Sequence, residues 1–578
     1  MFELSEDKKR LLQTNGHLLV LGGPGSGKTT IALLKANQLI INNVIEKGQK
    51  ILFLSFARAT VSRVEEQVRS VISSNIQSQL EVNTYHGFIW SLIRSHGYLI
   101  NKRRIIKLLT PHEAASRLAN FSGDREGEKK RLFEEEGILH FDLFAKYGTQ
   151  LLTESQALSK VISNAYPVII LDEFQDTNFD EWQFIQAVGQ LSTLIALADP
   201  EQRIYEFRGA DPSRISDFIF IYSPQQFDFG SENNRSNGTD IVQFGNDLIS
   251  GKNVGKQYNQ VKVNLYPFRQ GLSPHLDLKV EVLKARKRLI ANHTNDWSLA
   301  ILVPSKRLMH EVSLCLDTHH IFANNKSLPR VSHELALETA APSLAAVLVS
   351  NLLDLGSNSR VEHTQLIADL CEHMRGRNGD ASAPKQSLDI SNALQEFITT
   401  GKIRGSKRQM ILQDCINLVN ACCSLEFTGD PSQDWKNVCS LLDGASSDQL
   451  KQVGKDIKYL KMLHRGSELR SRLASLWRLY GNYSGAGESI KAALLQEYFA
   501  NSSKVWRGVH VMTIHKSKGK EFDEVIVYEG LYQGKIVRNE STKKEIDQAR
   551  LNLRVAVTRA RQNVLIITPI NDVCPLLR

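Results

Sequence analysis

The sequence predicts an α/β protein with two parallel-sheet cores, each interrupted by a helical insertion. Three observations predict it. Short, fully apolar runs recur early and late in the chain, as strands buried on both faces do. Charged stretches with helical periodicity separate those runs. A glycine-rich loop stands between the first apolar run and a helix-patterned segment.

The elements follow in order. Residues 17–21 read as a short buried strand, Gly22 to Gly27 as a loop, and Lys28 to about Ile41 as a helix. A second buried strand is expected at 50–55, followed by a helix from about Thr60 to Ser73. Residues 97–160 are richly charged and helical in pattern, with basic clusters at Lys102-Arg103-Arg104 and Lys129-Lys130-Arg131. Buried strands return at Val168–Leu171, Leu194–Ala198 and Leu299–Val303. A long helical region runs from about 336 to 500, and strands resume at Val509–Thr513, Val525–Tyr528 and Val564–Thr568. The first core is therefore expected at 1–96 and 161–230, with its insertion at 97–160. The second is expected at 231–335 and 505–578, with its insertion at 336–504.

Composition narrows the class. Lys and Arg (71) outnumber Asp and Glu (62) among 578 residues, a net charge of +9 that agrees with a polyphosphate partner without proving one. None of the seven cysteines forms a Cys-x-x-Cys pair, which argues against a disulfide framework or a cysteine metal site and favours a reducing cytoplasm. The charged start Glu3-Leu4-Ser5-Glu6-Asp7-Lys8 does not read as a signal peptide. No stretch approaches the roughly 20 apolar residues of a membrane span.

Gly22-Gly23-Pro24-Gly25-Ser26-Gly27-Lys28-Thr29, followed by Thr30, fits the phosphate-loop pattern at every fixed position and in its strand–loop–helix context. Small residues let backbone N–H groups converge on phosphate oxygens, and a helix N-terminus adds the positive end of its dipole. Lys28 would reach the β- and γ-phosphates of ATP, and the Thr29 hydroxyl would bind Mg²⁺. Downstream, Asp172-Glu173 ends a buried strand. Asp172 is suited to hold Mg²⁺ and Glu173 to orient and deprotonate the attacking water.

The segment Leu171-Asp172-Glu173-Phe174-Gln175-Asp176-Thr177 resembles motif II of superfamily 1 helicases of the UvrD/Rep type (SF1A). Further segments resemble that family's motifs in order. They are Ser55-Phe56-Ala57-Arg58-Ala59, Thr84-Tyr85-His86-Gly87-Phe88, Ala198 to Ala210, Asn233-Asn234-Arg235-Ser236, Val511 to Phe522, and Val555 to Ala560. The resemblance implies two RecA-like P-loop NTPase cores with ATP between them, driving 3′ to 5′ movement on single-stranded DNA and at junctions with duplex. The insertions stand where the family carries its 1B and 2B domains.

The resemblance also implies roles. Gln202 would sense the γ-phosphate, Arg235 and Arg559 would reach across the cleft, and Glu521 would contact the ribose. Phe56, Tyr205 and Phe207 would stack on bases, which is sequence-tolerant. Arg58, Thr84, His86, Arg208, Thr513 and His515 would contact the strand or relay the nucleotide state. Four positions depart from the family. Lys8 stands near the usual adenine-reading Gln, for which Gln13 is a substitute candidate. Asn234 replaces the Tyr of motif IV, Phe207 the Trp of motif III, and Arg554 the Tyr before motif VI. The compact length and divergent insertions also resemble helicase subunits of Gabija-type anti-phage systems, which implies a nuclease partner subunit and weak autonomous unwinding.

Overall fold

The computed structural model describes the chain apart from residues 1–4, 57–59, 62–63, 66, 69–76, 102–104, 120, 122, 201–210, 212, 231–237, 293–295, 323–326, 336–339, 356–362, 379–382, 458–467, 500–505 and 532–533. The chain divides into two compact units. One comprises Met1–Ile93, Ala145–Ala336 and Asn501–Arg578; the other comprises Arg94–Phe144 and Leu337–Ala500.

The first unit holds two six-stranded sheets. We number their strands β1 (Leu18–Leu21), β2 (Ile51–Ser55), β3 (Leu80–Thr84), β4 (Val168–Leu171), β5 (Thr193–Ala198), β6 (Gln225–Asp228), β7 (Val261–Tyr266), β8 (Ser298–Val303), β9 (His333–Leu335), β10 (Gly508–Thr513), β11 (Phe522–Tyr528) and β12 (Ala560–Pro569). The orders are β3-β2-β4-β5-β1-β6 and β9-β10-β8-β11-β12-β7. Every ladder within them is parallel.

The expected strands are all present, and the sheets add four more. These four, β3, β6, β7 and β9, are the edges of the two sheets. Their sequences, LEVNT, QQFD, VKVNLY and HEL, mix polar and apolar residues. An edge strand has one neighbour and partial solvent contact, so it lacks the continuous apolar run that marks a central strand. Central β4 (VIIL) and β8 (SLAILV) are buried along their whole length.

The helices that matter most for the site are α1 (Lys28–Ile41), α2 (Tyr85–His96), α3 (Phe179–Val188), α4 (Ile241–Ser250) and α5 (Lys543–Val557). Helix α1 buries Ile31, Ala32, Leu33, Ala36, Leu39 and Ile40 in a core shared with β1 and β2. Helix α3 begins with a capping box: Asn178 Oδ1 accepts from Glu181 N, and the Glu181 carboxylate accepts from Asn178 N, each at 2.9 Å. That reciprocal pair fixes where the chain turns after the acidic segment.

The helices Phe144–Glu154 and Gln156–Ala165, which the sequence reading puts in the first insertion, lie largely in the first unit. Gly148 explains the packing: a Cβ there would come within 2.8 Å of Ile89 Cγ2 and 3.1 Å of Phe184 Cδ2. Only glycine lets this helix approach α2 and α3 so closely.

The second unit is mainly helical, with a small parallel ladder between Lys107–Leu109 and Ile138–His140. Its core gathers Leu348, Leu352, Leu370, Cys415, Val438 and Leu450, among others. The Lys129-Lys130-Arg131 cluster is largely engaged by acids. Lys129 meets Glu126 and Asp142, each at 2.6 Å, and Arg131 meets Glu128, Glu135 and Glu136. Lys102-Arg103-Arg104 lies outside the described residues, and Lys402, Arg404 and Lys407 are exposed. Among the described residues, no helix is long and apolar enough to cross a membrane.

Candidate nucleotide site and nucleic-acid path

The phosphate loop leaves the carboxyl end of β1 and feeds α1. Carboxyl ends of parallel strands are where open α/β sheets bind ligands. Gly25 and Gly27 hold φ of 78° and 88°, which disfavour residues with a Cβ. A Cβ on Gly22 would come within 2.7 Å of Ser26 Oγ. The loop is tied to its own sheet, Gly22 N donating to Ala198 O at 3.3 Å and Gly23 N to Gly230 O at 3.0 Å. Lys28 Nζ donates to Gly22 O at 2.6 Å and Gly23 O at 3.1 Å. Pro24 and Ser26 are buried, Thr29 is half-buried and Thr30 is exposed.

The loop fits a triphosphate. The Ser26 hydroxyl is buried without a hydrogen-bond partner, and Gly25 and Gly27 take the left-handed conformation that anion-binding backbone turns use. The Thr29 hydroxyl and the Asp172 carboxylate are hard oxygen donors of the kind Mg²⁺ takes. One oxygen of Asp172 is already set by Ser55, whose Oγ donates to Oδ2 at 2.9 Å. Ser55 ends β2 and Asp172 follows β4, and these strands are neighbours.

Glu173 has φ 53°, a left-handed conformation unusual for a residue with a side chain. Strain of this kind concentrates at functional sites. Its Oε2 accepts from Gln175 Nε2 at 2.6 Å, and Gln175 Oε1 accepts from Asp199 N at 3.0 Å. The acidic segment after β4 is thereby tied to the end of β5. Burial pushes the Glu173 carboxyl up, but Lys518, Lys28, the Gln175 hydrogen bond and Arg559 outweigh it and bring it to about 2. Asp176 moves the other way, to about 7: burial dominates, and the Glu173 charge adds to it against Lys518. Neighbouring acids pushed apart in this manner are how one site obtains a fixed anion beside a protonatable group.

The second sheet delivers cations to this cluster. Lys518 Nζ donates to Asp176 Oδ2 and lies 3.7 Å from Glu173 Oε2. Arg554, near the end of α5, has one Nη 3.8 Å from Asp199 Oδ1 and the other 3.3 Å from Asn246 Oδ1 on α4. A Cβ on Gly23 would lie 3.8 Å from Arg554 Nη2. Arg559 is buried, with Nε on Val555 O at 3.0 Å and Nη2 on Thr558 Oγ1 at 3.3 Å. Glu521 lies 3.4 Å from Arg561.

The residues expected on the nucleic-acid path fall into two groups. Phe56 is half-buried and stacks on Tyr85, with centroids 4.3 Å apart and planes at 25°. Thr84 Oγ1 accepts from Gly87 N at 3.0 Å, and His86 Nε2 lies 3.4 Å from Glu181. Thr513 ends β10, and His515 follows it, half-buried, with burial lowering its pKa. Arg58, Gln202, Tyr205, Phe207, Arg208 and Arg235 lie outside the described residues.

The UvrD/REP helicase N-terminal domain family matches residues 4–136 and 127–221, and the UvrD-like helicase C-terminal domain family matches 448–571. The chain belongs to the UvrD/Rep-like helicases. A probable DNA helicase II homolog of Rickettsia conorii is 22% identical over 97% of this chain and 91% of its own length. The putative ATP-dependent DNA helicase YjcD of Bacillus subtilis is 23% identical over 98% of this chain and 79% of its own. The ATP-dependent DNA helicase Rep of Buchnera aphidicola subsp. Schizaphis graminum is 21% identical over 95% and 90%. This UvrD/Rep-like helicase is thus an ATP-hydrolysing DNA helicase whose two sheets form RecA-like cores.

Four residues of this helicase's site were not singled out as functional from sequence. Gln175 bonds Glu173, two residues away, and Asp199 N at the end of a different strand, and Asp199 in turn faces Arg554 of the second sheet. Lys518 stands out only as part of the segment Val511 to Phe522 that resembles a family motif, and Arg554 only as a departure from the family. The available signal was a basic residue inside an otherwise apolar stretch, as in Leu553-Arg554-Val555, since a charge among buried neighbours needs a partner.

Proposed function

We propose that this helicase is a motor that moves 3′ to 5′ along single-stranded DNA and separates duplex ahead of it. The observation that carries this reading is the convergence of phosphate loop, acid pair and second-core cations. Glu173 of the first core lies within reach of Lys518 of the second, and its ionisation responds to Lys28 and Arg559 as well. Neither core has a complete set of charges, so hydrolysis needs both.

In this reading Lys28 binds the β- and γ-phosphates and Glu521 the ribose. Thr29 and Asp172 hold Mg²⁺, which supplies charge neutralisation at the phosphates when bound. Glu173 orients the attacking water and accepts its proton. Arg559 and Arg235 spread positive charge over the transferring phosphoryl, and Gln202 reports its presence. Phe56, Tyr205 and Phe207 stack on bases. Arg58, Thr84, His86, Arg208, Thr513 and His515 contact the strand. The His86–Glu181 contact supports coupling, because the Glu181 carboxylate also closes the capping box of the helix that follows the acidic segment.

Steady-state ATP hydrolysis with and without single-stranded DNA tests the proposal, with Glu173→Gln as the inactive control. Stimulation that vanishes in the control supports a DNA-coupled motor. Hydrolysis indifferent to DNA overturns it and favours a subunit acting with a nuclease partner in anti-phage defence. Displacement assays on duplexes with a 3′ or a 5′ tail test the polarity, which rests on the family resemblance.

A further inference from the structure

The four edge strands of the two sheets are not protected alike. An open edge pairs readily with another chain, and proteins blunt such edges by shortness, charge or cover. Strand β3 is half-buried along most of its length, and its Glu81 accepts from Lys50 Nζ and Tyr166 Oη, each at 3.0 Å. Strand β6 is only QQFD, and β9 only HEL, with Glu334 3.6 Å from His510. Strand β7 has little of this protection. It runs through VKVNLY, and positions 262–265 are all exposed.

The pairing of β7 leaves one main-chain edge open. Val564 N of β12 donates to Gln260 O at 2.8 Å, and the two strands pair in parallel from Val564 opposite Val261 to Pro569 opposite Tyr266. Main-chain groups alternate in such a ladder. Those of Lys262 and Asn264 therefore face β12, and those of Val263 and Leu265 face away from the sheet. Side chains alternate as well, so Val261, Val263 and Leu265 share a face. Val261 is buried in the core with Ile241 and Phe244 of α4. Val263 and Leu265 carry that apolar face beyond the core and are 43% and 48% exposed. Phe268 and Leu272, in the loop that follows, are exposed too.

Charge selects what fits there. Between Asp247 and Asp277 the chain carries Lys252, Lys256, Lys262 and Arg269 and no acidic residue. The two bounding acids hold Lys256 at 2.9 Å and Arg269 at 3.2 Å. Lys252 and Lys262 are exposed and stand in no ion pair among the described residues.

We infer that β7 is a docking edge for an extended segment of a partner protein, one that alternates apolar residues with carboxylates. The segment adds a strand to the second sheet. Its main chain bonds the open groups of Val263 and Leu265, and its apolar side chains cover theirs. Its carboxylates fall on the opposite face, beside Lys262. A second copy of this chain pairing edge to edge would set the same lysines against each other, which is unfavourable. A nucleic-acid strand would satisfy neither the open amides nor the apolar face.

Fluorescence anisotropy on the full chain tests this with the labelled peptide Glu-Val-Glu-Ile-Glu-Val-Glu-Ile-Glu. The expected result is saturable binding that is absent for the fully N-methylated peptide and for the version with Lys in place of Glu. Leu265→Glu should weaken it by about tenfold, because it sets a carboxylate against the acidic strand. Lys262→Glu should weaken it in the same direction. Both variants should keep the parent's thermal midpoint and DNA-stimulated hydrolysis. If Leu265→Glu lowers the midpoint, Lys262→Glu decides. No binding overturns the inference, as does binding shared by the N-methylated peptide or unmoved by the variants. Displacement of the peptide by oligothymidine makes the edge a nucleic-acid surface and overturns it. A concentration-dependent dimer in sedimentation that Leu265→Glu disperses assigns the edge to a second copy and also overturns it.

Discussion

The two cores share one architecture and divide the chemistry unequally. Each is a six-stranded parallel sheet whose central strands are apolar and whose edges are polar. The first core carries a cradle of backbone N–H groups and a cluster of carboxylates: Asp172, Glu173 and Asp176. The second carries no such loop among its described residues and presents Lys518, Arg554 and Arg559 instead. An anion-lined half and a cation-bearing half are each incomplete, and repulsion within either is relieved by the other. The difference teaches that coupling between cores is written in charge, while folding within each is written in apolar burial.

The largest effect should come from removing a second-core cation. Arg559→Ala is expected to lower DNA-stimulated kcat by ~10³–10⁵-fold, as loss of a trans arginine does. Measured ATP turnover close to the parent's would mean that the first core hydrolyses alone, which breaks the comparison. Next comes the contrast between centre and edge. Ile170→Ala, in fully buried β4, should cost about 2–5 kcal/mol. Val263→Ala, in edge strand β7 where Val263 is 43% exposed, should stay within about 0.5 kcal/mol. Equal shifts in urea midpoint would show that the edges are as tightly packed as the centre.

A smaller effect concerns base recognition. Lys8 lies over the ring of Phe229, 5.1 Å from its centroid, and a Cβ on Gly22 would approach Phe229 Cβ to 3.2 Å. The departure from the family therefore sits beside the phosphate loop. Lys8→Gln should raise the preference for ATP over GTP by about tenfold, read from kcat/KM for each nucleotide. An unchanged ratio would show that position 8 does not face the base.

The smallest effect is on pH dependence. The folded Asp176 carboxyl, raised to about 7, binds its proton more tightly than an unfolded one. Its contribution to stability is complete below about pH 4 and is lost as pH rises towards 7. Glu173, lowered to about 2, has the opposite sign: its contribution holds above about pH 4.5 and is lost as pH falls towards 2. Between pH 5 and 8 only the Asp176 component changes between these two. Asp176→Asn should therefore flatten the decline of the thermal midpoint with pH in that window. An unaltered slope would place the titration elsewhere.

The nucleotide half of the site was legible because it is local. Gly22 to Thr29 needs only its own spacing and the strand before it, and Asp172-Glu173 needs only the end of β4. Central strands were legible because burial on both faces leaves an unbroken apolar run. The edge strands β3, β6, β7 and β9 were not, because half-exposed positions accept Glu81, Gln225, Lys262 and Glu334 without penalty. Arg559 was reached through family resemblance, since nothing local distinguishes it from a surface arginine.

By itself, the sequence determined the α/β class, the phosphate loop, the acid pair and the order of the motifs. These depend on neighbours close in the chain, whose geometry the backbone already sets. Only the tertiary structure decided that Lys518 meets Asp176 across 342 positions, that Arg554 meets Asp199, and that Gln175 ties Glu173 to β5. The first two pairs are brought together by the two sheets meeting and the third by neighbouring strands of one sheet, and the energy of a buried charge pair depends on that three-dimensional distance, which spacing along the chain does not encode.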